Sequence, residues 1–268
     1  NLVAVGDSAL YNNTALGNTA IGCKSLYTNT TGSSNSALGD HSLYSNTSGL
    51  SNTAVGDDAM YNNSTGDYNA ALGRLSMNSN TTGNFNTTIG YSAGSLATTN
   101  ANCTFLGYNA DNSGGTSRSN SMALGNGSLI TADDQVRIGN SSVTSIGGYA
   151  GWTNVSDGRF KQNIQQDVKG LDFILQLKPV TYSLNLPVLN QFLYAKEESA
   201  PFTNSDKSSI RYSGFVAQEV EAKARAVGYD FSGIDKPKNS NDYYGLRYGD
   251  FVVPLVKAVK KKKKMIET

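Results

Sequence analysis

The chain of 268 residues holds five prolines, two cysteines, one histidine and one tryptophan, and each scarcity excludes something. Cys23 and Cys103 lie in different repeats. With about 4.8 Å of rise per coil they stand roughly 20 Å apart, beyond the reach of a bond within one chain, so they are read as free thiols or interchain contacts. His41, the only histidine, occupies a variable repeat position and suits a surface role. Neither a Ser-His-Asp triad nor a histidine metal cluster can be assembled around it, and no cofactor motif is present. No apolar run approaches the ~18 residues of a membrane span. Charged residues are only 16% of the chain. Residues 1 to 150 carry four basic and eight acidic side chains, and residues 151 to 268 carry eighteen and thirteen. Five of those positives are Lys260 to Lys264, so there is no broad basic face for nucleic acid. No signal peptide opens the sequence. Asn1 falls inside a repeat, so the chain is expected to be part of a longer protein.

Glycine, in contrast, is plentiful, with 28 residues, and it is periodic. Ile21-Gly22, Leu38-Gly39, Val55-Gly56, Leu72-Gly73, Ile89-Gly90 and Leu106-Gly107 are each 17 residues apart. Asn18, Asn35, Asn52, Asn69 and Asn86 precede the phase glycine by four. Leu26, Leu43, Met60 and Met77 follow it by four, and Gly32, Gly49, Gly66 and Gly83 by ten. The consensus is N-T-A-(I/V/L)-G-x-x-(S/A)-(L/M)-Y-x-N-T-T-G-x-x. Looser copies sit at Val5-Gly6, Leu124-Gly125 and Ile138-Gly139.

A strict period this short predicts a solenoid, and 17 residues are too few for a helical hairpin. T-A-(I/V)-G and S-L-Y alternate as two short strands per coil. Gly and Asn, which tolerate left-handed backbone, mark the corners. Ala and the Ile, Val or Leu before the glycine are expected to point inward. The thin core that results favours packing against other copies. Asp7, Asp40 and Asp57 after the phase glycine read as corner residues bonding their own backbone rather than a calcium ladder, because Gly-Gly-x-Gly-x-Asp is absent. The Asn-x-Ser/Thr triplets follow from the repeat itself and say little about glycosylation.

The N-T-A-(I/V)-G core resembles the head repeats of trimeric autotransporter adhesins of the YadA type, over about residues 1 to 147. The resemblance implies a left-handed parallel β-roll in which three chains pack side by side.

The period ends in "GGYAGW", read as a linker over 148–155. The remainder predicts a small α+β domain over 156–250. Residues 170–178 form an amphipathic helix stopped by Pro179, "VTYSL" a strand, 215–227 a helix and "YGLRYGDF" a strand or turn. A final helix with a partial coiled-coil stripe covers 251–268, where Val252, Leu255, Val256, Val259 and Ile266 alternate but Lys260–Lys264 interrupts. The fold class is thus mainly β: a trimeric parallel β-solenoid of about 17-residue coils, then a small α+β domain ending in a helix.

"SDGRFKQNI", "LKPVTY", "GFVAQEV" and "YGLRYGDFVVPLVKAV" resemble the endosialidase-type C-terminal intramolecular chaperone, an autoprocessing domain of phage tail spikes and fibres, over about residues 153 to 260. The resemblance implies that the domain trimerises the upstream fibre, guides its folding and cuts itself off before Ser156. Ser156 would be the nucleophile, Lys161 its partner and Val155–Ser156 the scissile bond. A lysine serves as base only when neutral, which takes desolvation or a nearby positive charge. Arg159 is a source of such charge, and Asp157 is placed to orient the site. From spacing alone, the preferred reading is Ser156 and Asp157 as a helix N-cap and Lys161 as a solvated side chain. Gln218 and Glu219 either line the site or only pack, and packing is the preferred reading.

The expected function is a trimeric tail-fibre segment of a phage or phage-like particle that binds a host receptor or glycan. The self-cleaving chaperone would act once, as a single-turnover serine peptidase, with no metal or other cofactor. The alternative is a bacterial surface adhesin with the same chaperone. A glycan-cleaving spike would need paired carboxylates in a separate domain, and no such pair is visible.

Overall fold

The structure is a computed structural model and describes residues 1–194 and 205–267. It divides into two compact units. The first, Asn1–Thr144 together with the segment that follows Leu184, is a parallel β-solenoid. Its sheet runs in the order β1 (Val3–Val5), β2 (Thr19–Ile21), β3 (Ser36–Leu38), β4 (Thr53–Val55), β5 (Ala70–Leu72), β6 (Thr87–Ile89), β7 (Thr104–Leu106), β9 (Met122–Leu124) and β11 (Val136–Ile138). Two short strands, β8 (Asp111–Asn112) and β10 (Leu129–Ile130), pair separately. Every pairing keeps the repeat in phase, as in Ala20↔Ala37 and Ala37↔Ala54.

Two expectations are corrected by the backbone. S-L-Y is not a strand in the regular coils. Lys24 and Leu26, His41 and Leu43, Asp58 and Met60, and Leu75 and Met77 all have φ of +49° to +57°. Alternate left-handed residues fold the segment into a turn, although it still bonds coil to coil through Leu26 N to Ser42 O and Leu43 N to Ala59 O, both 3.0 Å. The second strand arises only late, as β8 and β10, where the left-handed residue four after the glycine is lost. The apolar residue before the phase glycine also faces outward. Side chains alternate across a strand, and the strand alanine takes the inward place. Ala20, Ala37, Ala54 and Ala71 are buried opposite Leu26, Leu43, Met60 and Met77. Ile21, Leu38, Leu72, Ile89 and Leu106 therefore form an outer stripe, 37–49% exposed. The core keeps one small and one large residue per coil. Where the large position becomes Gly94, the next strand carries Phe105 in the alanine position, and a Cβ on Gly94 would lie 2.9 Å from its ring.

The repeat asparagines are interior side chains rather than corners. Asn18, Asn35, Asn52, Asn69 and Asn86 are buried, and each side-chain oxygen accepts the backbone N–H of its counterpart one coil on, at 2.9–3.0 Å. The chain of bonds ends at Cys103 N on Asn86 Oδ1, 3.0 Å. A second buried column, Asn29, Asn46, Asn63 and Asn80, is linked amide to amide at 2.7–2.9 Å. Both columns donate to the same carbonyl: Gly49 O receives Asn35 Nδ2 at 2.8 Å and Asn46 Nδ2 at 3.1 Å. Gly49 is glycine for lack of room, since a Cβ there would lie 2.5 Å from Gly66 O. The phase glycines combine lack of room with φ of +129° to +139° in the regular coils. Tyr11, Tyr27, Tyr44 and Tyr61 stack along the outside, ring centroids 5.0–5.3 Å apart. The corner aspartates bond side chains instead of their own backbone: Asp57 pairs with Arg74 one coil on at 2.9 Å, and Asp40 lies 3.4 Å from His41. Both cysteines are free.

A helix absent from the sequence reading, α2 (Leu186–Leu193), packs on the solenoid. Leu193 and Tyr194 cluster with Leu129. Tyr194 Oη donates to Gly127 O at 2.8 Å, and Ser113 Oγ to Leu193 O at 3.0 Å.

The second unit comprises Ser145–Leu184 and the residues from Ser205 onward. It holds α1 (Leu171–Ile174), α3 (Ser205–Ser208), α4 (Ala217–Ala226) and α5 (Val252–Glu267), with antiparallel pairs of β12 (Val180–Tyr182) with β13 (Tyr212–Gly214) and β14 (Ile234–Asp235) with β15 (Gly245–Leu246). The helix expected over 170–178 is only one turn long. α5 ends at Glu267, and Thr268 lies outside the described residues. Phe173, Val220, Ala224, Phe231, Ile234 and Phe251 form the core. α5 buries Pro254 and Ala258 and leaves Val252, Leu255, Val256, Val259 and Ile266 exposed. Among the described residues no helix is long and apolar enough to cross a membrane.

Asn52→Ala removes the acceptor of Asn69 N and leaves that buried amide unpaired. It is expected to lower stability by about 2–3 kcal/mol, against less than about 0.5 kcal/mol for the exposed Thr65→Ala, read from urea unfolding midpoints.

Candidate functional site

Residues 154–164 form an exposed segment organised by one short turn. Asp157 caps a 3-10 turn over Gly158–Phe160, its Oδ1 accepting Arg159 N at 2.9 Å. Phe160 N donates to Asp157 O at 3.1 Å and Lys161 N to Gly158 O at 3.2 Å. This turn doubles the chain back and brings residues five apart in sequence side by side. Lys161 Nζ lies 2.9 Å from Ser156 Oγ. The cap expected from the residue types exists, made by Asp157, and it positions the Ser156–Lys161 pair.

Arg159 turns toward Asp157. Its Nε and Nη2 donate to Asp157 Oδ2 at 3.0 and 2.6 Å, and its guanidinium lies 5.6 Å from the Phe160 ring centroid. These bonds hold the Asp157 carboxyl below, and the Arg159 guanidinium above, their ordinary pKa values. The Arg159 charge is thus paired within the turn. Ser156 and Lys161 are both exposed, and Val155 is 84% exposed. A hydroxyl and an amine in hydrogen-bond contact have the arrangement of a nucleophile and its base. A solvated ammonium donates to the hydroxyl; only a neutral amine takes its proton.

Gln218 and Glu219 do not pack; both are exposed on α4, whose inner face is Ala217, Val220 and Ala224. The sequence reading also missed the polar contacts around that helix. Glu221 accepts from Tyr244 Oη at 2.8 Å and pairs with Lys236 at 2.9 Å and Arg225 at 3.0 Å. Tyr248 Oη receives Phe215 N at 3.2 Å, tying "GFVAQEV" to "YGLRYGDF". Among the described residues no three His, Cys, Asp or Glu side chains are grouped to hold a metal ion.

Residues 156–229 match the family model described as the chaperone of endosialidase, and the match opens on Ser156. The C-terminal part of the chain is therefore an endosialidase-type chaperone domain. No curated protein matches the chain.

The bonds from Lys236 and Tyr244 hold the Glu221 carboxyl below its ordinary value. Its stabilising contribution is complete above the ordinary glutamate range and is lost as pH falls toward the lowered folded-state value. Urea unfolding of the C-terminal domain in the full chain is expected to weaken with acidification through that range, and Glu221→Gln to flatten the dependence.

Proposed function

We propose that this chain is part of a trimeric tail-fibre-like protein of a phage or phage-like particle. Its chaperone domain drives assembly and folding of the β-solenoid and then severs itself at Val155–Ser156. The reading rests on the 2.9 Å contact between Lys161 Nζ and Ser156 Oγ, made by the first residue of the chaperone match. The outer stripe of Ile21, Leu38, Leu72, Ile89 and Leu106 supports self-association, because an apolar line along a rod marks an interaction surface. The fibre then stands on a virion or extracellular surface, with its solenoid presented to a host receptor or glycan.

The cut proceeds in balanced steps. Neutral Lys161 takes the Ser156 hydroxyl proton. Ser156 Oγ adds to the Val155 carbonyl carbon, and the electron pair moves to the carbonyl oxygen. Collapse breaks the C–N bond between Val155 and Ser156, and the lysine returns its proton to the departing amine. Water hydrolyses the remaining ester, leaving a Val155 carboxylate and a serine N-terminus. Exclusion of water favours a neutral lysine. In a single chain Lys161 is exposed, so burial against neighbouring protomers supplies the base. Cutting then follows assembly.

Intact mass of freshly folded protein tests the cut. Wild type is expected to give pieces of 155 and 113 residues and Ser156→Ala only the whole chain. Lys161→Met slows cutting by roughly 10²-fold or more. An uncut wild-type trimer overturns the proposed chemistry, and a folded monomer overturns the fibre. Native mass tests the stripe: Leu72→Asp with Ile89→Asp is expected to abolish the trimer, whereas Thr65→Asp leaves it intact.

A further inference from the structure

The stretch leading into the scissile bond has the composition of a linker but not the pattern of one. Ile146, Tyr149, Trp152 and Val155 recur every three residues. All four point into solvent, with exposures of 60%, 111%, 89% and 84%. Between them lie only Gly, Ala, Thr and Asn, and no charged residue occurs from Gly139 to Ser156. Val143 continues the period one step back in the sequence. The segment contains no helix or strand, and no residue between Gly139 and Asn163 has a positive φ. A Cβ added at Gly147 or Gly151 would meet nothing within 4 Å.

A period of three selects a particular partner. A strand with one buried face alternates every two residues and a helix every 3.6. An extended chain of three residues per turn presents every third residue along one edge, and three such chains that meet on a common axis bury that edge, at a wider spacing than collagen's glycine-only axis when the residues are large. The absence of charge lets identical copies approach without repulsion. A flexible linker has no use for Ile, Tyr, Trp and Val in register, since each exposed ring or branched chain carries a cost in water. The last member of the series, Val155, is the acyl residue of the proposed cut.

We infer that residues 146–155 form a three-chain neck, in which Ile146, Tyr149, Trp152 and Val155 of this chain and two further copies close on one axis. Closure fixes the Val155 carbonyl beside Ser156, so the neck determines when the bond is cut. The inference rests on the trimeric reading above and adds to it the segment that couples assembly to cleavage.

Trp152 is the only tryptophan, so its fluorescence reports on the neck alone. The full-length Ser156→Ala protein is measured for native mass, emission wavelength and acrylamide quenching, with the same protein in urea as the exposed reference. A trimer with blue-shifted emission and quenching several-fold weaker than in urea supports the neck. A trimer whose Trp152 is as quenchable as in urea overturns the neck and leaves the trimeric fibre standing. A monomer overturns both. Register gives the second test, in otherwise wild-type chain. Inserting one Ala between Ala150 and Gly151 breaks the period and is expected to slow cutting at least tenfold while the trimer forms. Inserting Ala-Gly-Ser at the same place restores the period and the cutting rate. Equal rates for both insertions overturn the coupling.

Discussion

The regular coils of the solenoid depend on one buried hydrogen bond repeated along the rod: an asparagine side-chain oxygen taking the backbone N–H of the asparagine one coil later. A coil this short encloses only an alanine and one larger apolar side chain, so much of its interior is backbone. Buried amides must be paired, and the strand ladders serve only three residues per coil. Backbone bonds between successive turns pair many of the others, and the asparagine columns pair amides and carbonyls that these leave; the columns dictate the surrounding sequence. Gly32, Gly49 and Gly66 lack side chains because a Cβ would fall on the asparagine oxygen of the same coil and on the glycine carbonyl of the next. The period stays at 17 for as long as each asparagine has an asparagine to meet. Once Cys103 ends the column, the spacing changes and extra strands replace the turn.

The same economy leaves a single rod incomplete. Leu26, Leu43, Met60 and Met77 reach the core only from left-handed backbone, which costs of order 1 kcal/mol or more at each bulky residue. The apolar residue beside each strand alanine is turned outward. Solenoid coils stabilise only their neighbours, so a strained, thin rod with an apolar outer line gains most from association with copies of itself. An endosialidase-type chaperone domain downstream suits that need. Its helix α5 likewise buries one side against α1 and leaves its valine and leucine face exposed, a second apolar surface on the same chain.

At the proposed cleavage site, geometry and chemistry separate. The Asp157-capped turn brings Ser156 and Lys161 together using residues 156–161 alone, so the pair needs no distant support to form. Its reactivity is another matter, because proton removal by lysine requires the loss of water around the amine. Proximity is therefore a local property, and in the proposed mechanism the assembly supplies the exclusion of water. Such a division lets a single-use cut wait for folding to finish.

The sequence by itself determined the period, the solenoid and the chaperone motifs. These are repeating or local patterns, and a one-dimensional string displays them directly. Only the tertiary structure decided which way the repeat residues face. Left-handed φ at alternate residues turned S-L-Y from a strand into a turn, and the strand alanine displaced its apolar neighbour from the core. The asparagines, read as corner residues by their tolerance of turns, became interior columns because paired amides on successive coils could satisfy what a thin core could not. α2 was hidden for a similar reason. Its apolar residues suit the surface of the solenoid near Leu129 and Gly127, and only a folded solenoid presents that surface.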